Sequence, residues 1–105
     1  MKPLRVDRSK VVDYLLNPAK SHGKAAFFLR MGFQPERWEV LAQALKAQAV
    51  SGGVVAVIES LHGIRYSVDG ELETPDSRSP GPRIRTVWIE ELGSDEWRLI
   101  TSHPA

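Results

Sequence analysis

The chain changes period between Gln48 and Val54, and that switch constrains its fold more than any other feature. Up to it, Trp38, Leu41, Ala42, Leu45 and Ala49 recur at i, i+3, i+4, i+7 and i+11. That spacing draws one apolar stripe along a helix, the pattern of a helix lying on a sheet. Pro35 stands where a first helical residue belongs, and Glu36, Arg37, Glu39, Gln43, Lys46 and Gln48 are expected to face water. Ser51-Gly52-Gly53 then ends the helix, and the chain beyond it is β-branched.

Val54 to Ile58 is a nearly continuous β-branched run, and Ile64, Tyr66 and Val68 alternate with Arg65 and Ser67. His62-Gly63 between them predicts a hairpin turn. Asp69-Gly70 is a further turn signal, with Glu71 to Glu73 continuing as a ribbon or bulge. Thr74 to Pro82 carries three prolines and no apolar residue, which predicts a long exposed loop. Arg83 to Glu90 is a third strand, Gly93-Ser94-Asp95 a turn, and Trp97, Leu99 and Thr101 alternate in a fourth strand ending at Pro104.

The N-terminal part reads as helical. Residues 1–8 are basic and contain Pro3, so an irregular or extended arm is expected there. From Ser9, the residues Val11, Val12, Leu15 and Leu16 form an apolar face until Asn17-Pro18 stops the helix. Ala19 to Gly23 reads as a connector and Lys24 to Met31 as a second short helix, closed by a left-handed turn at Gly32 onto which Phe33 folds back. The expectation is one α+β domain over 1–105: two to three N-terminal helices (9–51) followed by a four-stranded antiparallel meander (54–103) with an exposed loop at 74–82. The third helix covers one sheet face. The other is expected to stay partly open, because Arg65, Ser67, Arg85, Glu96 and Arg98 recur along it.

Composition limits the chemistry. With 105 residues the chain buries roughly two-thirds of its unfolded surface, enough to fold without a staple. No cysteine is present, which excludes a disulfide framework, a zinc-thiolate site and a thiol nucleophile. The formal net charge of +1 gives no global signature of nucleic-acid binding, so any basic surface has to be local. No apolar run approaches a membrane span, and the first residues are too polar for a secretory signal, so a cytoplasmic protein without membrane association is expected. No metal-ligand spacing, phosphate-cradling glycine loop or nucleophile elbow occurs, and no cofactor is expected.

The segment Arg83-Ile84-Arg85-Thr86-Val87-Trp88-Ile89 combines a strong strand pattern with two cations, a hydroxyl and a large aromatic. Ile84, Thr86 and Trp88 fall on one face, and Arg83, Arg85, Val87 and Ile89 on the other. An arginine on such a strand needs an acceptor: Glu59, Glu90 or Glu96 of the protein, a backbone carbonyl, or a bound anion.

The stretches Tyr14-Leu15-Leu16-Asn17-Pro18, Lys24-Ala25-Ala26-Phe27-Phe28, Gly32-Phe33, Arg83 to Trp88 and Leu99-Ile100-Thr101-Ser102-His103-Pro104 resemble an uncharacterised bacterial domain. That domain occurs both alone and at the ends of phage-structural and polymorphic-toxin proteins. Its order of elements is similar to the ribonuclease-like superfamily of barnase, EndoU, colicin and RelE. The resemblance implies a metal-independent ribonuclease or an RNA-binding domain, although topology does not fix function.

A ribonuclease site needs an acid, a base and cations for the phosphate. On that reading Arg85 is the leading cation, with His22, Thr101 and Tyr66 as further catalytic candidates. Lys20, Lys24, Arg65, Arg83 and Thr86 are the candidates for holding phosphate, and Lys20 and Lys24 flank His22 at a helix start. Each has a structural alternative: an ion pair for Arg85, β-branched shape for Thr86 and Thr101, packing against Trp88 or Trp97 for Tyr66, and plain solvation for His22, His62 and His103. RNA is the partner on this reading. The other reading is a non-catalytic module, immunity- or antitoxin-like or an accessory domain, that binds a cognate protein and exposes an apolar strand edge or patch.

Overall fold

A computed structural model of the protein describes residues 2–105, and the chain forms an α+β domain. The period switch falls at the expected place. Helix α4, Trp38–Ser51, is entered through a 3₁₀ turn at Pro35–Arg37, and strand β2 begins at Gly53. Leu41, Ala42, Leu45 and Ala49 are all buried, so the stripe is the face that meets the sheet.

The sheet has five strands and is mixed, which corrects the four-stranded antiparallel meander. Its order is β1-β5-β4-β3-β2. Strands β2 (Gly53–Ser60), β3 (Gly63–Glu71), β4 (Arg83–Glu91) and β5 (Trp97–Pro104) form the antiparallel part. Strand β1, Leu4–Arg5, lies parallel to β5 in the expected arm, with Trp97 donating its backbone N–H to the Pro3 carbonyl at 2.9 Å. Met1 lies outside the described residues. Two residues are too few for any periodicity to register, and a parallel pairing needs the long excursion through the rest of the fold. The sheet therefore begins before the helices.

The helical part is also more divided than its sequence suggests. Helix α1 (Arg8–Lys10) widens into a π-turn at Val11–Leu15, and Gly23–Arg30 forms α3. Between them the expected connector holds a one-turn helix, α2, at Pro18–Ser21. Asn17-Pro18 does stop the preceding helix, but Asn17 also accepts the backbone N–H of Ala19 at 3.0 Å with Pro18 at the first helical position. A pair that ends one helix thus starts the next. Gly32 adopts φ +100°, and Phe33 folds back with its N–H on the Phe28 carbonyl, as its sequence predicts.

Helix α4 packs over β3 and β4, and α1 and α3 pack against β5. Between the layers sit Val11, Leu15, Phe28, Leu41, Leu45, Val68, Ile84, Trp88 and Leu99, each at most 1% exposed. Gln48, expected to face water, is buried among them at 1% exposure. Its Nε2 donates to the carbonyls of Val68 and Ile84 at 2.9 and 3.1 Å, and its Oε1 accepts from the Thr86 hydroxyl at 2.7 Å. The Trp88 indole N–H donates to the same hydroxyl at 2.8 Å. Helical periodicity places Gln48 between Leu45 and Ala49, near the stripe, and its amide is buried because the sheet satisfies it.

Candidate functional site

The central strand arginine has its acceptor, and the acceptor belongs to the protein. Arg85 Nε donates to Asp69 Oδ1 at 2.7 Å and a terminal nitrogen to Oδ2 at 3.0 Å, a two-pronged pair between residues directly opposite on β3 and β4. The hydrogen bond from Arg85 holds the Asp69 carboxyl below its usual range, against the desolvation that would raise it. The carboxylates named from sequence lie elsewhere: Glu90 binds Lys2 and the Trp97 indole, and Glu96 binds Arg5. Thr86 is fully buried, with its hydroxyl committed to Gln48 and Trp88, so it offers no surface to a phosphate.

The remaining candidates are spread over the molecule. Tyr66 stacks on Trp97, with ring centroids 4.3 Å apart and planes 16° off parallel. Trp88 and Trp97 are not paired in register; Leu99 lies opposite Trp88. Arg65 is exposed between Ile58 of β2 and Ile89 of β4, and Arg83 is exposed opposite Glu71. His22 and Lys20 are exposed at the corner between α2 and α3, where His22 carries φ +47°.

Two candidates do converge, on Tyr14, which is not among the sequence-derived candidates. Lys24 donates its ammonium to the Tyr14 hydroxyl at 2.9 Å, and Thr101 Oγ1 lies 3.4 Å from the same oxygen. Lys10 stands 5.2 Å from the Tyr14 ring centroid and Lys24 5.3 Å. Those contacts favour the phenolate, and Tyr14 is held below the usual phenol pKa, first by the Lys24 hydrogen bond and then by that of Thr101. The available clue was the spacing of Lys10 and Tyr14, four residues apart on a helical turn. Among the described residues, no hydrogen bond or ion pair links this cluster to Arg85, Tyr66 or His22. The described residues contain no group of His, Cys or carboxylate side chains arranged to hold a metal.

The least satisfied part of the surface is β2. It is the last strand of the sheet and pairs only with β3. Its apolar run nevertheless projects into water from both faces: Val54, Val55, Val57 and Ile58 are each more than half exposed. The register shift between Val54 and Ala56 gives Val55 no partner on β3. Leu61, 90% exposed, and Leu92, 75% exposed, extend this surface from the two turns at one end of the sheet. Those turns are neighbours because Gly63 pairs with Glu91. The approach is so close that a side chain at Gly63, whose φ is +136°, would collide with the Glu90 carbonyl oxygen. A continuous β-branched run usually marks a strand covered on both faces. Here α4 stops at β3 and β4, and nothing within the described residues covers β2.

No helix among the described residues is long and apolar enough to cross a membrane. No curated protein and no solved structure matches the chain. One family model does, over residues 1–105, and the chain therefore belongs to the family described as a domain of unknown function, DUF6883.

Proposed function

We propose that this domain is a protein-interaction module that assembles by strand addition at β2, and that the added strand is β2 of a second copy. The observation that carries this reading is the coincidence on one strand of an unpaired edge and an apolar surface exposed on both faces. A free strand edge presents unpaired backbone donors and acceptors, which natural proteins protect with charge, proline, a β-bulge or cover, and β2 has only the bulge at Val55 toward its first end and a glutamate near its last. Between Gly53 and Ser60 the only charged residue is Glu59. Isolated exposed apolar residues mean little, but a contiguous patch on the order of a few hundred Å² is typical of an interaction site.

A second copy suits this edge because a two-fold interface needs only one patch, matched to itself. Antiparallel pairing centred between Ala56 and Val57 sets Val55 against Ile58 and Glu59 against Val54. The two Glu59 carboxylates then lie at opposite ends and do not repel. Backbone hydrogen bonds supply the association, and the apolar side chains on both faces set its register.

The competing reading, a metal-independent ribonuclease centred on Arg85, needs a guanidinium free to grip phosphate. The Asp69 fork engages Nε and one terminal nitrogen of Arg85, which favours a structural role for it over phosphate binding. Sedimentation equilibrium over a range of protein concentrations tests the proposal, with a reversible dimer expected for the wild type and a monomer for Val57→Lys. Circular dichroism identical for the two would show that the variant folds. A wild-type protein that stays monomeric at its highest soluble concentration overturns self-pairing. Cleavage of RNA by the wild type in chelator, lost in a folded Arg85→Ala variant, overturns the non-catalytic reading.

A further inference from the structure

We propose that Lys24, Tyr14, Lys10 and Thr101 form a binding site for a phosphate group, as a free phosphate or a phosphodiester of RNA. This inference is independent of strand pairing at β2.

The groups come from different elements: Lys10 and Tyr14 from the α1 turn, Lys24 from α3 and Thr101 from β5. Lys24 Nζ and Thr101 Oγ1 converge on Tyr14 Oη at 2.9 and 3.4 Å, and Lys10 Nζ stands 5.2 Å from the Tyr14 ring centroid. The inventory is rich in donors. Each ammonium carries three N–H groups, of which Lys24 spends one on Tyr14, and of the two hydroxyls, which contact each other at 3.4 Å, one keeps its proton for a ligand. What is missing is an anion. Neither Lys10 nor Lys24 has a carboxylate partner among the described residues, a condition they share with Arg8, Lys20, Arg30, Arg37, Lys46, Arg65 and Arg83; what sets these two apart is their shared contact with Tyr14.

Charge distribution sharpens the point. Residues 1–33 hold seven Lys/Arg against two Asp, and residues 34–105 seven against eleven Asp and Glu. A chain of net charge +1 is thus +5 in its N-terminal third and −4 in the remainder. Lys2 and Arg5 of that basic third are paired with Glu90 and Glu96, whereas Lys10 and Lys24 each stand within 5.3 Å of the Tyr14 ring centroid. The phenol of Tyr14 is lowered chiefly by its hydrogen bonds with Lys24 and Thr101, with the two ammonium charges adding to the same effect. A phosphate, with several strong acceptor oxygens and at least one negative charge, matches a set of point-charge donors flanked by hydroxyls.

The test is an amide NMR titration with sodium phosphate at constant ionic strength, using sodium chloride as the matched control. Saturable shifts confined to the neighbourhoods of Lys10, Tyr14, Lys24 and Thr101 are expected. Lys24→Gln should weaken the affinity about tenfold, the effect of losing one charge-assisted contact, and Lys10→Gln should weaken it less. A second readout follows the Tyr14 phenol by ultraviolet absorbance in a Tyr66→Phe background, since these are the two tyrosines in the chain. Bound phosphate neutralises the ammoniums, so the Tyr14 titration midpoint should move up, and chloride should leave it in place. A short oligoribonucleotide displacing phosphate from the same resonances identifies the ligand as a nucleic-acid backbone. If phosphate binds and the oligoribonucleotide does not displace it, the ligand is a free phosphate. Shifts that match those of chloride, or a response unchanged in both folded lysine variants, would overturn the site.

Discussion

Strands β4 and β2 look alike in sequence and have opposite fates. Both are rich in β-branched residues, and both lie in the same antiparallel sheet. In β4, Ile84, Thr86 and Trp88 lie beneath α4, each fully buried, with every polar group answered by Gln48 or by each other. In β2, Val54, Val55, Val57 and Ile58 meet water. The strand pattern is a statement about the backbone, and cover is a statement about the layer above it. Helix α4 is wide enough to roof two strands, so a third strand with core-like composition is left as a surface.

The sharpest way to break this comparison is to remove the residue that joins α4 to β4. Gln48→Leu keeps the helix and much of the side-chain volume but leaves the carbonyls of Val68 and Ile84 without their amide donor. A buried acceptor left unsatisfied costs about 1–3 kcal/mol. A loss of about 3 kcal/mol in urea unfolding is expected, with an unchanged m-value. A loss below about 1 kcal/mol would mean that apolar packing alone fixes the covered strand.

A smaller effect is expected on the opposite side of the same strand, at Arg85 and Asp69. Asp69 is depressed in the folded protein, so its contribution to stability is present above the ordinary carboxylate pKa. It is lost as pH falls through the folded value. Arg85→Ala should therefore lower stability near neutral pH by less than Gln48→Leu does. The gap from the wild type should close in acid, once Asp69 is protonated in both proteins. NMR titration of the Asp69 carboxyl should show it moving up toward the usual range in the variant. An unmoved Asp69 would mean that the fork does not govern its ionisation.

Much of this architecture was legible because the deciding interactions are local. The Trp38 to Ala49 stripe, the Gly32 turn, the His62-Gly63 hairpin and the proline loop follow from neighbours in sequence, and each lies where it was expected. What escaped depends on distant partners. Leu4–Arg5 is a strand because Trp97 and Arg98 lie beside it. Gln48 is buried because two strand carbonyls and a threonine hydroxyl await its amide. The strand pattern shows that Arg85 needs an acceptor, yet Asp69-Gly70 carries a turn signal, whereas β3 runs through it to Glu71. The Tyr14 cluster has no sequence signature because Lys24 and Thr101 reach it from other elements.

The smallest expected effect is the one that separates the two strands most cleanly. Val57→Thr keeps the β-branched shape that a strand favours and exchanges one exposed methyl group for a hydroxyl. Val57 is more than half exposed, so the stability of the monomer should stay within about 0.5 kcal/mol of the wild type. If β2 pairs with its own copy, the same change buries a hydroxyl in the new interface and weakens association. The matched substitution under cover, Val68→Thr on β3, which α4 roofs together with β4, should behave in the opposite way, because Val68 is 1% exposed and the added hydroxyl would be buried within the monomer. Urea unfolding at low protein concentration and sedimentation at high concentration read the two effects separately. A Val57→Thr protein less stable as a monomer and unchanged in association would place β2 in the intramolecular core, and the contrast with β4 would fail.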